Sequence, residues 1–204
     1  MAKKEATYAD LEALPDHLIG EIIDGELIAS PLPRPRHGHT TVKILAQLSG
    51  PFSDGKGGPG GWWILVEPEI RFGSNVMVPD AAGWRRDRVP VLPDIVPLEI
   101  APQWACEVLS PSTAKIDREK KLRIYARYAV DHVWLVDPVL RTLEIYERTD
   151  KRWTLLDVHS DDARVRAAPF DAIELDLSTW WMPLASGAAE PQTPQAIDWH
   201  REPL

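Results

Sequence analysis

A single cysteine, Cys106, occurs among the 204 residues. That excludes an internal disulfide and any cluster of thiolates around a metal. No apolar run approaches the ~20 residues that a membrane-spanning helix needs. The N-terminus, MAKKEATYADLEALP, has lysines but no apolar stretch behind them, so it does not read as a secretory signal. GxxxxGK[ST] spacing is missing as well. The glycine-rich GKGGPGG at 55–61 lacks the strand-to-helix context that aims amides at a phosphate, and reads as a loop. Nor is there a surplus of positive charge: the net charge of −8 argues against sequence-independent coating of nucleic acid. A cytoplasmic protein with no membrane association is the expectation.

What is present is an ordinary globular balance, 44% hydrophobic and 26% charged. One domain over 1–184 is expected, with a tail at 185–204 where Ala, Pro, Gln and Glu take over. Charge is unevenly spread. Acids gather in 5–26 and 144–176; bases gather in Arg34–His39, in Arg85, Arg86 and Arg88, and in Lys115, Arg118, Lys120, Lys121, Arg123 and Arg127. These bases form either a local basic face or solvated helix flanks.

Periodicity predicts a helix over 7–19 despite Pro15, and a hairpin in GEIIDGELIAS closed by Asp24-Gly25. PLPRPR cannot continue a strand, and a second helix is predicted from about Gly38 to Leu48. WWILVEPEIRFG and NVMVPDAAGW read as strands, and the proline-rich stretch 85–102 as irregular. WACEVLS and HVWLVDP have the character of buried strands, with the helix DREKKLRIYARYAV between them. Strand, helix, strand across 104–137 indicates a crossover inside a mixed sheet, and RTLEIYERTD and RWTLLDVHS continue it as antiparallel pairs.

Two acids stand out in this frame. Asp80 closes the apolar run VMVPD, and Glu107 lies inside WACEVL. A carboxylate there is costly to desolvate unless a lysine, a hydrogen-bond network or a hard cation offsets it. Carboxylates meeting at strand ends make the oxygen-rich site that magnesium prefers, although each acid could instead take a backbone amide or an arginine. Lys121, four residues before Tyr125 and next to Leu122, stands at the edge of the packing face and can bring its ammonium to the Glu107 strand. Lys120 is rotated about 100° away by the helix period. His37 and His39, two apart at a helix start, converge poorly on a metal, but His39 could contact a phosphate.

IIDGELIASPLPRPRHGH, VPD, EVLSPST, D-x3-K-x3-Y and HVWLVDP occur in that order. Together they resemble the Uma2 (DUF820) family of the PD-(D/E)xK, restriction-endonuclease-like superfamily, over roughly residues 8–148. The resemblance implies an α/β (α+β) restriction-endonuclease-like core, a central mixed β-sheet flanked by helices, magnesium- or manganese-dependent nuclease chemistry and a homodimer. It implies Asp80 and Glu107 as catalytic, metal-holding acids. Leu109 occupies the place of the motif's lysine, and the lysine in this family is thought to come from the helix, here Lys121. Glu26 resembles an accessory acid near the same metal, and His39 a further site residue; Asp117, at the helix start, reads more as a cap than a ligand.

The expected function is thus a Mg-dependent endonuclease acting on nucleic acid, DNA in preference to RNA. A second reading is a non-catalytic oligomeric module that keeps the fold and associates through tryptophan-rich edges. Nine tryptophans, including Trp62-Trp63 and Trp180-Trp181, motivate it. A third is a metal-dependent hydrolase of small phosphoesters, which would need a closed pocket in place of a groove.

Overall fold

Asp24 and Gly25 both adopt positive φ, 50° and 76°, the geometry of the tight turn that joins antiparallel strands. In the computed structural model, which describes residues 5–183, this turn connects β1 (Leu18–Ile23) to β2 (Glu26–Pro31). The prolines then end the strand, and Pro35 opens α2 (Pro35–Leu48), where a missing N–H costs nothing. Among the described residues ahead of the hairpin there is one short helix, α1 (Tyr8–Glu12). The predicted 7–19 helix is cut short because Pro15 cannot continue it, and Leu18 and Ile19 enter β1 instead.

Each of the two long predicted strands divides. WWILVEPEIRFG becomes β3 (Trp62–Val66) and β4 (Ile70–Phe72), broken at Glu67, with φ 45°, and Pro68. NVMVPDAAGW becomes β5 (Asn75–Met77) and β6 (Ala81–Arg85), broken at Pro79, which has no donor for a ladder. The halves belong to different sheets. A four-stranded sheet runs β2-β1-β5-β4, and β3 and β6 enter a six-stranded one. Asp80 therefore sits where the chain passes from one sheet to the other.

The six-stranded sheet continues with β7 (Trp104–Val108), β8 (His132–Asp137), β9 (Thr142–Thr149) and β10 (Arg152–Ser160), in the order β10-β9-β8-β7-β6-β3. β7 and β8 are parallel and the other neighbours antiparallel, so the sheet is mixed as expected. The crossover carries α3 (Ala114–Ile116), a π turn (Asp117–Lys121) and α4 (Leu122–Arg127). A small ribbon, β11 (Arg164–Val165) with β12 (Leu175–Asp176), completes the strands.

Alternation along β7 sorts its side chains between two cores. Trp104, Cys106 and Val108 pack with Ile44 and Leu48 of α2, Trp134, Phe170 and Trp180 on one face. Ala105 and Leu109 pack with Ile124, Tyr125, Trp84 and Phe72 on the other. Glu107 lies between Ala105 and Leu109 and so faces the crossover helix. Six tryptophans (62, 84, 104, 134, 180 and 181) are buried. Trp63 and Trp153 are half-buried and donate Nε1 to the carbonyls of Val89 and Leu122. The eight described tryptophans thus build the interior, and none of them forms an exposed aromatic edge of the kind an association module would use. Trp199 and the tail expected at 185–204 lie outside the described residues. Among the described residues no helix is long and apolar enough to cross a membrane.

Gly83 shows how tightly the tryptophan core is built. A Cβ there would lie 3.1 Å from Trp62 and 3.2 Å from Trp104, and both rings are held by buried neighbours. We expect Gly83→Ala to lower stability by about 1–3 kcal/mol, the usual cost of overpacking. An unchanged melting temperature would mean that the rings can yield.

Candidate active site

The helix period sets Asp117, Lys121 and Tyr125 on one side of the crossover, four residues apart. The π turn between Asp117 and Lys121, a feature often found at functional sites, widens the spacing of the first pair. Lys121 reaches down onto β7 and β1. Its Nζ lies 3.0 Å from Glu21 Oε1, 3.1 Å from Glu107 Oε2 and 3.3 Å from Asp117 Oδ1. One ammonium thus forms ion pairs with three carboxylates and donates a hydrogen bond to Glu107 Oε2. The four residues are 2–7% exposed, so water does little of the screening. Two of the acids are also held from behind. Tyr125 donates its hydroxyl to Glu107 Oε1, and the Val78 amide donates to Glu21 Oε1 at 2.8 Å.

Asp80 stands beside this cluster. The β6–β7 register pairs Ala81 with Cys106, which sets Asp80 opposite Glu107 on the same face. Its Oδ2 accepts the Val108 amide at 2.6 Å, and its Oδ1 lies 3.1 Å from Nε2 of His37, in the first turn of α2. Both side chains are 14% exposed, so this pair forms the open edge of an otherwise buried site.

Asp80, Glu107 and Lys121 are therefore brought together, and two of the expected residues are not. Glu26, partly exposed, pairs with Lys120 Nζ at 2.8 Å, and Glu21, on the strand before the hairpin turn, is the acid that meets Lys121. His39 is rotated about 200° from His37 by the helix period, so His37 meets Asp80 while His39 makes no ion pair or hydrogen bond among the described residues. Asp117 contributes a carboxylate to Lys121 where a cap was expected. Glu21 and His37 were missed. The signal for Glu21 was available in hindsight: an acid flanked by Gly20 and Ile22 in an apolar strand, as Glu107 is flanked in its own.

The Uma2 family model, described as "Putative restriction endonuclease", matches residues 6–178. The chain belongs to the Uma2 family. A solved structure similar to it is described as "a putative nuclease belonging to DUF820" from Anabaena variabilis, with 23% identity and a TM-score of 0.69. The match covers 86% of this chain and 98% of that one, and establishes the fold. No curated protein matches the chain.

In this Uma2 chain Leu109, two residues beyond Glu107, is 3% exposed in the core beneath the crossover helix. An ammonium there would have to share the space that Ile124 and Tyr125 occupy; Lys121 delivers the charge from above instead. Burial pushes the Glu107 carboxyl well above the usual carboxylate range against the pull of Lys121, and Asp117, Asp80 and Glu21 add to the rise. Burial likewise raises Asp117 against Lys121. For Lys121 burial disfavours the ammonium, but Glu107, Glu21 and Asp117 outweigh it and hold its pKa well above the ordinary lysine value. A rising lysine favours the ion pair, whereas a rising glutamate opposes it. The cationic lysine is the firm direction, because three carboxylates surround it. The surplus negative charge then falls on Glu107 and Asp117, whose carboxyls retain a proton more readily than free ones or accept a cation. At the edge, burial works against the His37 imidazolium, but the Asp80 hydrogen bond and charge outweigh it and raise its pKa.

Replacing Lys121 by Met leaves Glu21, Glu107 and Asp117 without their shared cation. Lys121→Met is expected to cost roughly 3–5 kcal/mol near pH 8, as for a broken buried ion pair. In the variant the raised native pKa values of Glu107 and Asp117 rise further above the unfolded ones. Stability then falls as pH climbs past the ordinary carboxylate value of 4.5, so the deficit relative to wild type shrinks as the pH is lowered toward about 5. Urea denaturation at the two pH values checks this. Equal deficits would show that packing, not charge, holds the lysine.

Proposed function

We propose that this Uma2 protein is an endonuclease that hydrolyses phosphodiester bonds of DNA with the help of Mg2+ or Mn2+. The observation that carries the reading is the position of Asp80 and Glu107 on facing strands, with the Lys121 ammonium 3.1 Å from Glu107.

The donor set fits a hard divalent cation. Four acids, Glu21, Asp80, Glu107 and Asp117, surround one lysine and one histidine, and burial raises two of the carboxyls. The excess is negative charge, which a dication offsets. Among the described residues no three Asp, Glu, His or Cys side chains form a ready-made cage. That suits magnesium, which is commonly held by one or two carboxylates together with water and substrate phosphate. Asp80 and Glu107 are the residues that would hold it. When bound, such a cation supplies Lewis-acid polarisation of a phosphoryl oxygen and neutralises its charge.

The chain's own groups have separate tasks in this reading. Lys121 keeps a positive charge beside the scissile phosphate and stabilises the charge that develops on it. Glu21 and Asp117 fix the ammonium, and Tyr125 fixes the orientation of Glu107. His37 and the Val108 amide fix Asp80 at the open edge, from which the phosphodiester approaches. Water is kept from the far side by Leu109, Ile124 and Tyr125, all nearly or fully buried.

Purified wild-type protein is expected to cleave DNA in Mg2+ or Mn2+ and to stop in EDTA. Asp80→Ala and Glu107→Ala remove the cation's holders, and Lys121→Ala removes the fixed charge. Each is expected to lower the rate by about 100-fold or more. Cleavage that survives all three changes would assign the activity to another site or to a contaminant.

A further inference from the structure

His39 is left without a task in the site, and its helix suggests one. Arg36, His39 and Lys43 stand at i, i+3 and i+7 along α2, and so share one face. The helix packs through other positions: Thr40, Thr41, Ile44 and Leu48 are buried, and His37 leans onto Asp80. The basic residues thus form a stripe on the flank of α2, beginning one residue from the histidine that marks the open edge. Arg34, exposed at the N-cap, extends it toward that edge.

Seven of the described arginines, Arg118 and Arg148 among them, each meet a carboxylate within 4 Å. Arg34, Arg36 and Lys43 meet none among the described residues. Two of them also oppose the helix dipole. The first turn of α2 has no acid, and the Arg34 side chain makes no capping hydrogen bond, whereas a helix start ordinarily favours negative groups. Their placement does not serve the helix. Glu67, whose charge reaches His37, is the acidic element on the same rim.

We infer that the Arg36–His39–Lys43 stripe, with Arg34, is the track on which the DNA backbone lies as it enters the site. The inference rests on the nuclease reading above and names the surface that reading needs. The rise from residue 36 to 43 is roughly 10 Å at 1.5 Å per residue. That matches about three nucleotides of one B-DNA strand at 3.4 Å each, so the stripe can meet successive phosphates of one strand. It also reconciles an acidic chain with a nucleic-acid substrate, because the net charge of −8 is not what the phosphates meet locally.

The test is equilibrium binding of a short fluorescent DNA duplex by the full-length protein in EDTA, where no cleavage occurs, between about 50 and 200 mM salt. Wild type is expected to bind with a steep salt dependence. The triple variant Arg36→Gln/His39→Gln/Lys43→Gln is expected to bind about tenfold or more weakly at the lowest salt. Its log–log slope should be shallower by about 1.8, at roughly 0.9 per lost cationic phosphate contact. Arg36→Lys/Lys43→Arg, which keeps both charges, should retain the wild-type slope. Lys151→Gln/Arg152→Gln, at the β9–β10 turn, should leave it unchanged. A melting temperature near wild type in the triple variant excludes unfolding as the cause. An unchanged slope in the triple variant, an equal loss in the turn variant, or no salt-dependent binding by wild type overturns the inference. If cleavage in Mg2+ fails while these slopes behave as stated, the catalytic reading falls and the track stands. If cleavage persists with an unchanged slope, the track alone falls.

Discussion

The Lys121 ammonium, enclosed by Glu21, Glu107 and Asp117 at 3.0 to 3.3 Å, ties the structure together at its most polar point. The three acids come from β1 of the four-stranded sheet, β7 of the six-stranded sheet and the crossover helix, so a single side chain joins all three layers. Such an arrangement is a poor way to gain stability, because desolvating four charges can cost more than their attraction returns. Its value lies in position. Buried and hydrogen-bonded from behind, Glu21 and Glu107 cannot change rotamer without leaving a partner unpaired, and this part of the site is held rigid before any ligand arrives.

The second constraint is the passage between sheets. Pro79 ends β5 and lets the chain turn into β6, and the residue that follows it is Asp80. The carboxylate is delivered opposite Glu107 by strand register, and α2 supplies His37 from the other side of the sheet edge. One set of acids is thus sealed by the Lys121 helix, while Asp80 keeps an exposed edge. Buried charge behind and an accessible acid in front is the arrangement on which the proposed nuclease reading depends.

Much of this was legible in the sequence, for identifiable reasons. The helix period puts Lys121 at the edge of the packing face, within reach of the Glu107 strand, whereas the split between Leu109 and Lys121 comes only from the resemblance to the family. Asp24-Gly25 specified the hairpin through its backbone preferences. What could not be read was partnership across sheets. Glu21 and Glu26 flank the same turn with the same chemistry, and only the packing of β1 against β5 and of the hairpin against the crossover helix decides which faces Lys121. His37 and His39 pose the same problem: a shift of two residues in helical phase decides which one meets Asp80. The length of the first helix was misjudged because the leucine spacing across Pro15 fits a helix that proline does not permit. The tryptophans misled in the opposite way, since a count says nothing about burial.

Calorimetric titration of Mn2+ or Mg2+ into the wild-type protein and into Asp80→Asn tests the central claim most directly. The account predicts one saturable site per chain, tighter as pH rises because the raised carboxyls must give up their protons to the metal, and absent in Asp80→Asn. No binding by wild type, or the same isotherm from Asp80→Asn, would contradict it.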